Sequence, residues 1–197
     1  MSRWEPNAPA RLQQAAFELY GERGYDQTTV AEIAARAGLT ERTFFRHFAD
    51  KREVLFAGGE RFRTALVDPV NAAPASATAL EAVTAGIEAA GSVFPAVELV
   101  RRRQALLLAN PELQERELIK LASIAAALGE ALRERGVPGT AAELAAESGV
   151  SVLRIALMRW IEDPNEQPWE VHVREAVDEL RGLVSAQRPV GLIGNAE

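Results

Sequence analysis

Apolar side chains recur along this 197-residue chain every three to four positions, and beyond its first domain no strand-like alternation interrupts them. That period puts one apolar stripe on each of a series of helices. Leu12, Ala15, Ala16, Leu19 and Tyr20 form the first stripe, which Gly21 and Gly24 are expected to end. Val30, Ile33, Ala34 and Ala37 recur at i, i+3, i+4 and i+7, predicting a short helix. Phe44 and Phe48, four residues apart, mark the buried side of the next and leave Glu41, Arg42, Phe45 and Arg46 facing outward. Further stripes run through Leu80, Val83, Ile87 and Phe94, then Val97, Val100, Gln104, Leu107 and Leu108, then Leu121, Ile124, Ala125, Leu128 and Leu132. The last two comprise Leu153, Ala156, Leu157, Trp160 and Ile161, followed by Val173, Ala176, Val177, Leu180 and Val184. Breakers at Pro95, Asn110-Pro111, Gly136 with Pro138-Gly139, Asp163-Pro164 and Arg188-Pro189 separate them. With three or four helices at the amino end, the pattern predicts an all-α fold of about nine helices.

Local signals sharpen the first part. Thr29 with Glu32 three residues on is a capping box: the hydroxyl accepts from the Glu32 amide and the carboxylate reaches back to the Thr29 amide. Gly38 suits a left-handed helix end, Leu39 returns an apolar side chain to the crossing, and Thr40 can cap the helix that follows. Small Ala34 lets a second helix cross closely. Asp50 with Glu53 repeats the capping spacing and predicts a fourth helix starting just after Phe48. Residues 28–48 thus read as two short helices around a glycine turn, the arrangement that lays its second helix in a DNA major groove. Asp68-Pro69 through Pro74-Ala75-Ser76 reads as the hinge between this reader and a helical body.

Net charge is -6, which by itself argues against a nucleic-acid partner. Its distribution answers the objection. Residues 36–52 hold Arg36, Arg42, Arg46, Lys51 and Arg52 against only Glu41 and Asp50, whereas 19 of the 28 acidic side chains lie beyond residue 60. Phosphate affinity follows the local patch, and the acidic remainder serves solubility. With no cysteine there is no disulfide framework, thiol nucleophile or cysteine metal site, which fits a reducing cytoplasm. The start, Met1 to Pro6, lacks an apolar run, and no apolar stretch is long enough to span a bilayer, so no membrane partner is expected.

The run from Ala15 to Val30, continued through Phe48-Ala49-Asp50-Lys51, resembles the amino-terminal domain of the tetracycline-repressor (TetR) family. The resemblance implies a DNA-binding domain over residues 1–56 and an effector-binding and dimerisation domain over 57–197. It further implies a homodimeric repressor that holds a palindromic double-stranded operator through helix 40–47 and is released by a small apolar or amphipathic effector. Thr28, Thr29 and Lys51 match family positions that touch the phosphate backbone. Phe45 and His47 depart from the family pattern, which commonly has tyrosine at one or both. In a TetR-like architecture the last two long helices pair with their symmetry mates, through Leu153, Leu157, Trp160, Val173, Val177 and Leu180. The same stripes serve equally well as intramolecular core. Residues 101–117 are similar to ligand domains of actinobacterial regulators, including the mycofactocin-system type.

On the reading helix, Arg42 and Arg46 can each meet guanine O6 and N7 with a planar donor fork, or stand as solvated surface charges. Glu41 can accept from a cytosine amino group or simply favour the helix start. Thr40 and Thr43 are small enough to approach a phosphate or thymine methyl. Phe45 has no donor but can pack on that methyl; His47 can donate to phosphate, or else sit half-buried against a carbonyl. In the body, Phe94, Arg101, Gln104, Leu108 and Leu128 are candidate effector contacts. Arg101, Arg102 and Arg103 fan around their helix, so they cannot all face one ligand, and one could turn inward to an anion. His172 has no second histidine nearby, and no metal or cofactor is expected. No glycine-rich phosphate loop or nucleophile elbow supports an enzyme. A helical protein-interaction module without DNA binding is the other alternative.

Overall fold

The computed structural model describes residues 7–185, apart from the side chain of Val184. Among them the chain forms nine α-helices and no strand. In order these are α1 (Ala8–Arg23), α2 (Val30–Arg36), α3 (Glu41–His47), α4 (Gly59–Ala72), α5 (Ala79–Ala90), α6 (Val97–Ala109), α7 (Pro111–Glu134), α8 (Gly139–Glu162) and α9 (Trp169–Ser185). Two short 3-10 segments, Glu53–Phe56 and Gly91–Val93, precede α4 and α6. The Val184 side chain and the expected breaker Arg188-Pro189 lie outside the described residues.

Two apolar cores organise these helices. The first gathers Leu12, Ala16 and Leu19 of α1, Ile33 of α2, Phe44 of α3 and Val54 and Leu55 of the first 3-10 segment. Leu107 of α6 and Leu113 of α7 also insert into it, so the reader is completed by residues some fifty positions downstream. The second core joins Leu66 and Val70 of α4, Val83 and Ile87 of α5, Leu128 and Leu132 of α7, Leu153 of α8 and Val173 and Val177 of α9. Helix α4 crosses α5 so closely that a Cβ built at Gly86 would lie 2.2 Å from the Leu66 carbonyl oxygen. Backbone cannot yield there as a flexible side chain would, so only glycine fits.

Several expectations are corrected here. Gly21 lies within α1, which runs on to end at Gly24 with φ 84. The Asp50 carboxylate does accept from the amides of Arg52 and Glu53, at 2.8 and 3.2 Å, but it opens only the 3-10 segment. Glu53 does not reach back to close a box, because two cations of α7 hold its carboxylate. Asp68 and Pro69 are not a hinge: both lie inside α4, whose end leaves the break at Ala73 to Ser76. The turn that leads into α4 is Ala57–Gly58, with Gly58 at φ 83. Phe94 is not on the helix of Leu80, Val83 and Ile87 but on the linker before α6. Among the described residues no single helix is long and apolar enough to cross a membrane.

Candidate nucleic-acid interface

The reader assembles from local hydrogen bonds that the sequence spells out. The Thr29 hydroxyl accepts from the Glu32 amide at 3.3 Å, and the Thr29 amide donates to Glu32 Oε2 at 2.9 Å, completing the capping box. Donation by the Thr29 amide and hydroxyl holds the Glu32 carboxyl below the usual carboxylate range. At the other end of α2, Gly38 stands at φ 67. Its amide donates to the Ala35 carbonyl at 2.9 Å and the Leu39 amide to that of Ala34 at 2.8 Å, the paired bonds of a Schellman motif. Arg11 of α1 adds an interaction that sequence reasoning missed. Its guanidinium donates to the Ala37 carbonyl, and a Cβ at Gly38 would sit 2.9 Å from it.

Helix α3 then presents its outward side. The Thr40 hydroxyl caps it by accepting from the Thr43 amide at 3.2 Å. Phe44 is wholly buried while its neighbour Phe45 is 55% exposed, so the helix divides sharply between core and solvent. Glu41, Arg42, Arg46 and His47 are exposed and Thr43 half-buried. His47 is therefore not the half-buried histidine of the bland alternative; its Nε2 stands 3.5 Å from Arg46 Nη2. Among the described residues neither Arg42 nor Arg46 belongs to an ion pair, unlike Arg36 with Glu18 and Glu22, or Arg52 with Asp50. The local positive charge counted from sequence is thus reduced in practice to the α3 arginines and Lys51.

Two backbone-contact expectations change. Thr28 is buried, and its hydroxyl donates to the Gly24 carbonyl at 2.8 Å, so its side chain cannot reach a phosphate. The half-buried Lys51 ammonium donates to the carbonyls of Tyr25, Asp26 and Thr28 at 2.9, 3.3 and 3.2 Å and lies over the Tyr25 ring. Those bonds occupy all three donors of an ammonium. Lys51 therefore ties the α1–α2 loop together, and only its charge remains to act on a phosphate. Thr29 stays exposed at the start of α2, where free helix amides favour anions.

Residues 12–57 match the model of bacterial regulatory proteins of the TetR family. Over that segment the chain is similar to the TetR family. It is 35% identical over 79 residues to the HTH-type transcriptional regulator TcmR of Streptomyces glaucescens, covering 40% of this chain and 35% of that protein. Over 116 residues it is 26% identical to a protein of Mycobacterium tuberculosis named as a mycofactocin biosynthesis transcriptional regulator, MftR, covering 58% of each. The match thus spans about a third to somewhat over half the length of these relatives. The native structure of NalD, the secondary repressor of the MexAB-OprM multidrug efflux pump in Pseudomonas aeruginosa, shares the fold. Its TM-score is 0.61 at 18% identity, over 90% of this chain and 98% of that one.

The amino-terminal segment is bound to the rest of the chain by charge as well as by Leu107 and Leu113. Glu53 pairs with Arg116 and Lys120 of α7 at 2.5 and 3.2 Å. Arg103 of α6 donates to the Leu55 carbonyl at 3.0 Å, pairs with Glu117 at 2.7 Å and lies over the Phe56 ring. A cleft of about 590 Å³ opens beside this clamp, between His47 and Phe48 at the end of α3 and Glu112, Glu115 and Ile119 of α7. Burial pushes the Glu53 carboxyl upward, but hydrogen bonds from Arg116 and Lys120 outweigh it and hold the pKa below the ordinary value. A carboxyl depressed by folding stabilises the native state above its unfolded pKa, and that share is lost as pH falls through the folded one. Thermal melts from about pH 6 to pH 3 should therefore fall less steeply for Glu53→Gln than for wild type. Parallel curves would deny the clamp its role.

The body residues named from sequence scatter. Leu108 is 61% exposed, whereas Leu128 is packed in the body core, so the two cannot line one cavity. Arg101 is exposed and donates Nε to the Ile161 carbonyl at 2.8 Å rather than turning inward to an anion. Gln104 is half-buried on α6. Only Phe94 meets a group that resembles a site, a cluster of aromatic rings. Of the expected dimer contacts, Leu153, Val173 and Val177 are buried within the chain's own core, and Leu157, Trp160 and Leu180 pack against it. Burial inside the chain accounts for Leu153, Val173 and Val177, while Leu157, Trp160 and Leu180 are half-buried. The large apolar side chains left exposed on α8 and α9 are Leu144, Ile155 and Leu183. His172 is buried with Nε2 3.2 Å from Asp163 Oδ2, out of line for a hydrogen bond. Among the described residues no histidine or carboxylate group is spaced to hold a metal.

Proposed function

We propose that this chain is a ligand-responsive, homodimeric transcriptional repressor of the cytoplasm. Its reader would be residues 1–56 and its effector-binding and dimerising body residues 57–197. The observation that carries the reading is the outward face of α3, where Arg42 and Arg46 stand exposed and outside any ion pair among the described residues, beside Phe45 and over a rigidly buried Phe44. Arg42, Arg46 and Glu41 would read base edges in the major groove, Phe45 would pack on a thymine methyl, and Thr29, Thr40, Thr43 and His47 would meet phosphate. Dimerisation would use the solvent-facing sides of α8 and α9, including Leu144, Ile155 and Leu183, doubling the half-site. An effector bound in the body would favour a spacing of the two readers that no longer fits the operator. The relatives' names as transcriptional regulators and a repressor support the same reading.

Gel shifts with duplexes from the gene's own upstream region test it. Binding should weaken by about tenfold or more between about 50 and 200 mM salt, as counterions return to the phosphates. Absence of any shift at low salt would refute the proposal and favour the protein-interaction alternative.

A further inference from the structure

Four aromatic rings meet at one edge of the body, drawn from four different stretches of chain. Phe94 is stacked on Phe62 of α4, with ring centroids 5.6 Å apart and planes 25° from parallel. It is stacked equally on Trp160 of α8, at 5.4 Å and 23°. Trp169, at the start of α9, stands edge-on to both Phe94 and Trp160, at 5.0 and 5.9 Å. Phe94 is the ring that touches the other three.

The surrounding rings are fixed and the central one is not part of any regular element. Trp169 is buried, its Nε1 donates to the Ile87 carbonyl at 2.8 Å, and its indole closes so tightly on Gly91 that a Cβ there would lie 2.3 Å away. Phe62 and Trp160 are carried by helices. Phe94 instead sits on the irregular linker Phe94–Ala96, where the backbone bends by 106° between the α5 side and α6. Pro95 and Ala96 are exposed, and Ala96, the N-cap of α6, offers that helix no side-chain cap. The stretch is thus the weakly held kind that opens before the helices around it. Phe62, Phe94 and Trp160 are all only half-buried, so the Phe94 ring can leave toward solvent without crossing the core.

We propose that Phe94 is an internal plug in a slot for a planar aromatic ligand, whose ring takes the place of Phe94 against Phe62 and Trp160. Flat rings gain from two parallel aromatic walls and one edge-on wall in a way that saturated rings of equal area do not. Phe62 lies in the first turn of α4, four residues after Gly58, so a ligand that rearranges the slot acts on the helix that leads directly from the reader. This rests on the reading of the chain as a ligand-responsive regulator, and it names the ligand class for that reading.

Calorimetric titration of the full chain with 2-naphthol and with its saturated counterpart, decahydro-2-naphthol, tests the slot. Wild type should bind the flat ring about tenfold or more tighter than the saturated one. Phe94→Ala should tighten 2-naphthol by about tenfold more, since no internal ring has to leave. Phe94→Leu keeps an apolar side chain, protects the fold and should shift affinity in the same direction. Trp160→Leu, which removes a wall, should weaken it by about tenfold. Equal affinity for the flat and saturated compounds, or 2-naphthol binding to both Phe94 variants no tighter than to wild type, would overturn the plug. Gel shifts on the same preparations separate the two readings. Protein that holds its upstream duplex yet fails the titrations sinks the slot alone; protein that ignores duplex at low salt sinks the regulator reading.

Discussion

Replacing Arg42 and Arg46 together with alanine should lower affinity for the upstream duplex by about a hundredfold or more. Each guanidinium that meets a guanine edge is worth about 1–3 kcal/mol of discrimination, and about 1.4 kcal/mol is tenfold. The two residues are four apart on one face of α3 and share a neighbourhood, so their effects need not add strictly. Removing them leaves the reader intact, because neither belongs to its core or to an ion pair among the described residues. The salt dependence tells which atoms they touch. If they read bases, specific affinity falls while binding to unrelated duplex and its salt slope stay nearly constant. If they meet phosphates, both affinities fall and the slope shallows by about one for each phosphate no longer neutralised. Fluorescence anisotropy with the upstream duplex and a scrambled one measures both. A double variant that binds like wild type would remove α3 as the reading helix.

The second large effect concerns adjacent phenylalanines with opposite fates. Phe44→Ala should cost about 3–5 kcal/mol, since a wholly buried ring leaves a cavity at the junction of α1, α2 and α3. Phe45→Ala, at a position 55% exposed, should change stability by about 0.5 kcal/mol or less. The core around Phe44 is distinct from the body core, although Leu107 and Leu113 enter it, so its melting should separate from that of the body in Phe44→Ala; urea titration followed by far-ultraviolet dichroism would then show two steps. Loss of DNA binding would accompany the first step. A Phe44→Ala cost below about 1 kcal/mol would mean that the ring does not hold α3 in place. The pair also separates stability from recognition: Phe45→Ala should leave the fold alone and change only DNA affinity.

The reader is legible in the sequence because its signals are short in range. A capping box links Thr29 to Glu32, a Schellman turn links Ala34 and Ala35 to Gly38 and Leu39, and Phe44 and Phe48 share a face one turn apart. The same logic locates most breaks between the body helices. It fails where the partner is distant. Nothing around Thr28 or Lys51 says that one is sealed against the Gly24 carbonyl and the other is bonded to three carbonyls of a preceding loop. Pro69 reads as a break because proline removes the N–H that would reach the Ala65 carbonyl, yet Leu66 and Val70 keep α4 continuous by packing into the body. Leu153, Val173 and Val177 are buried in the chain's own core for a related reason: a stripe on α8 or α9 states that it must be buried, not by which molecule.

The order of residues by itself determined the helical class, the caps and turns of the reader, and which side chains of α3 turn away from Phe44. Only the tertiary structure decided that Leu107 and Leu113 complete the reader's core, that Glu53 is clamped by Arg116 and Lys120, and that Phe94 joins Phe62, Trp160 and Trp169. Caps and periodicity arise from hydrogen bonds and packing within about five residues, where the chain has few conformations to choose from. Packing across tens of residues depends on how whole helices cross, which no local spacing encodes.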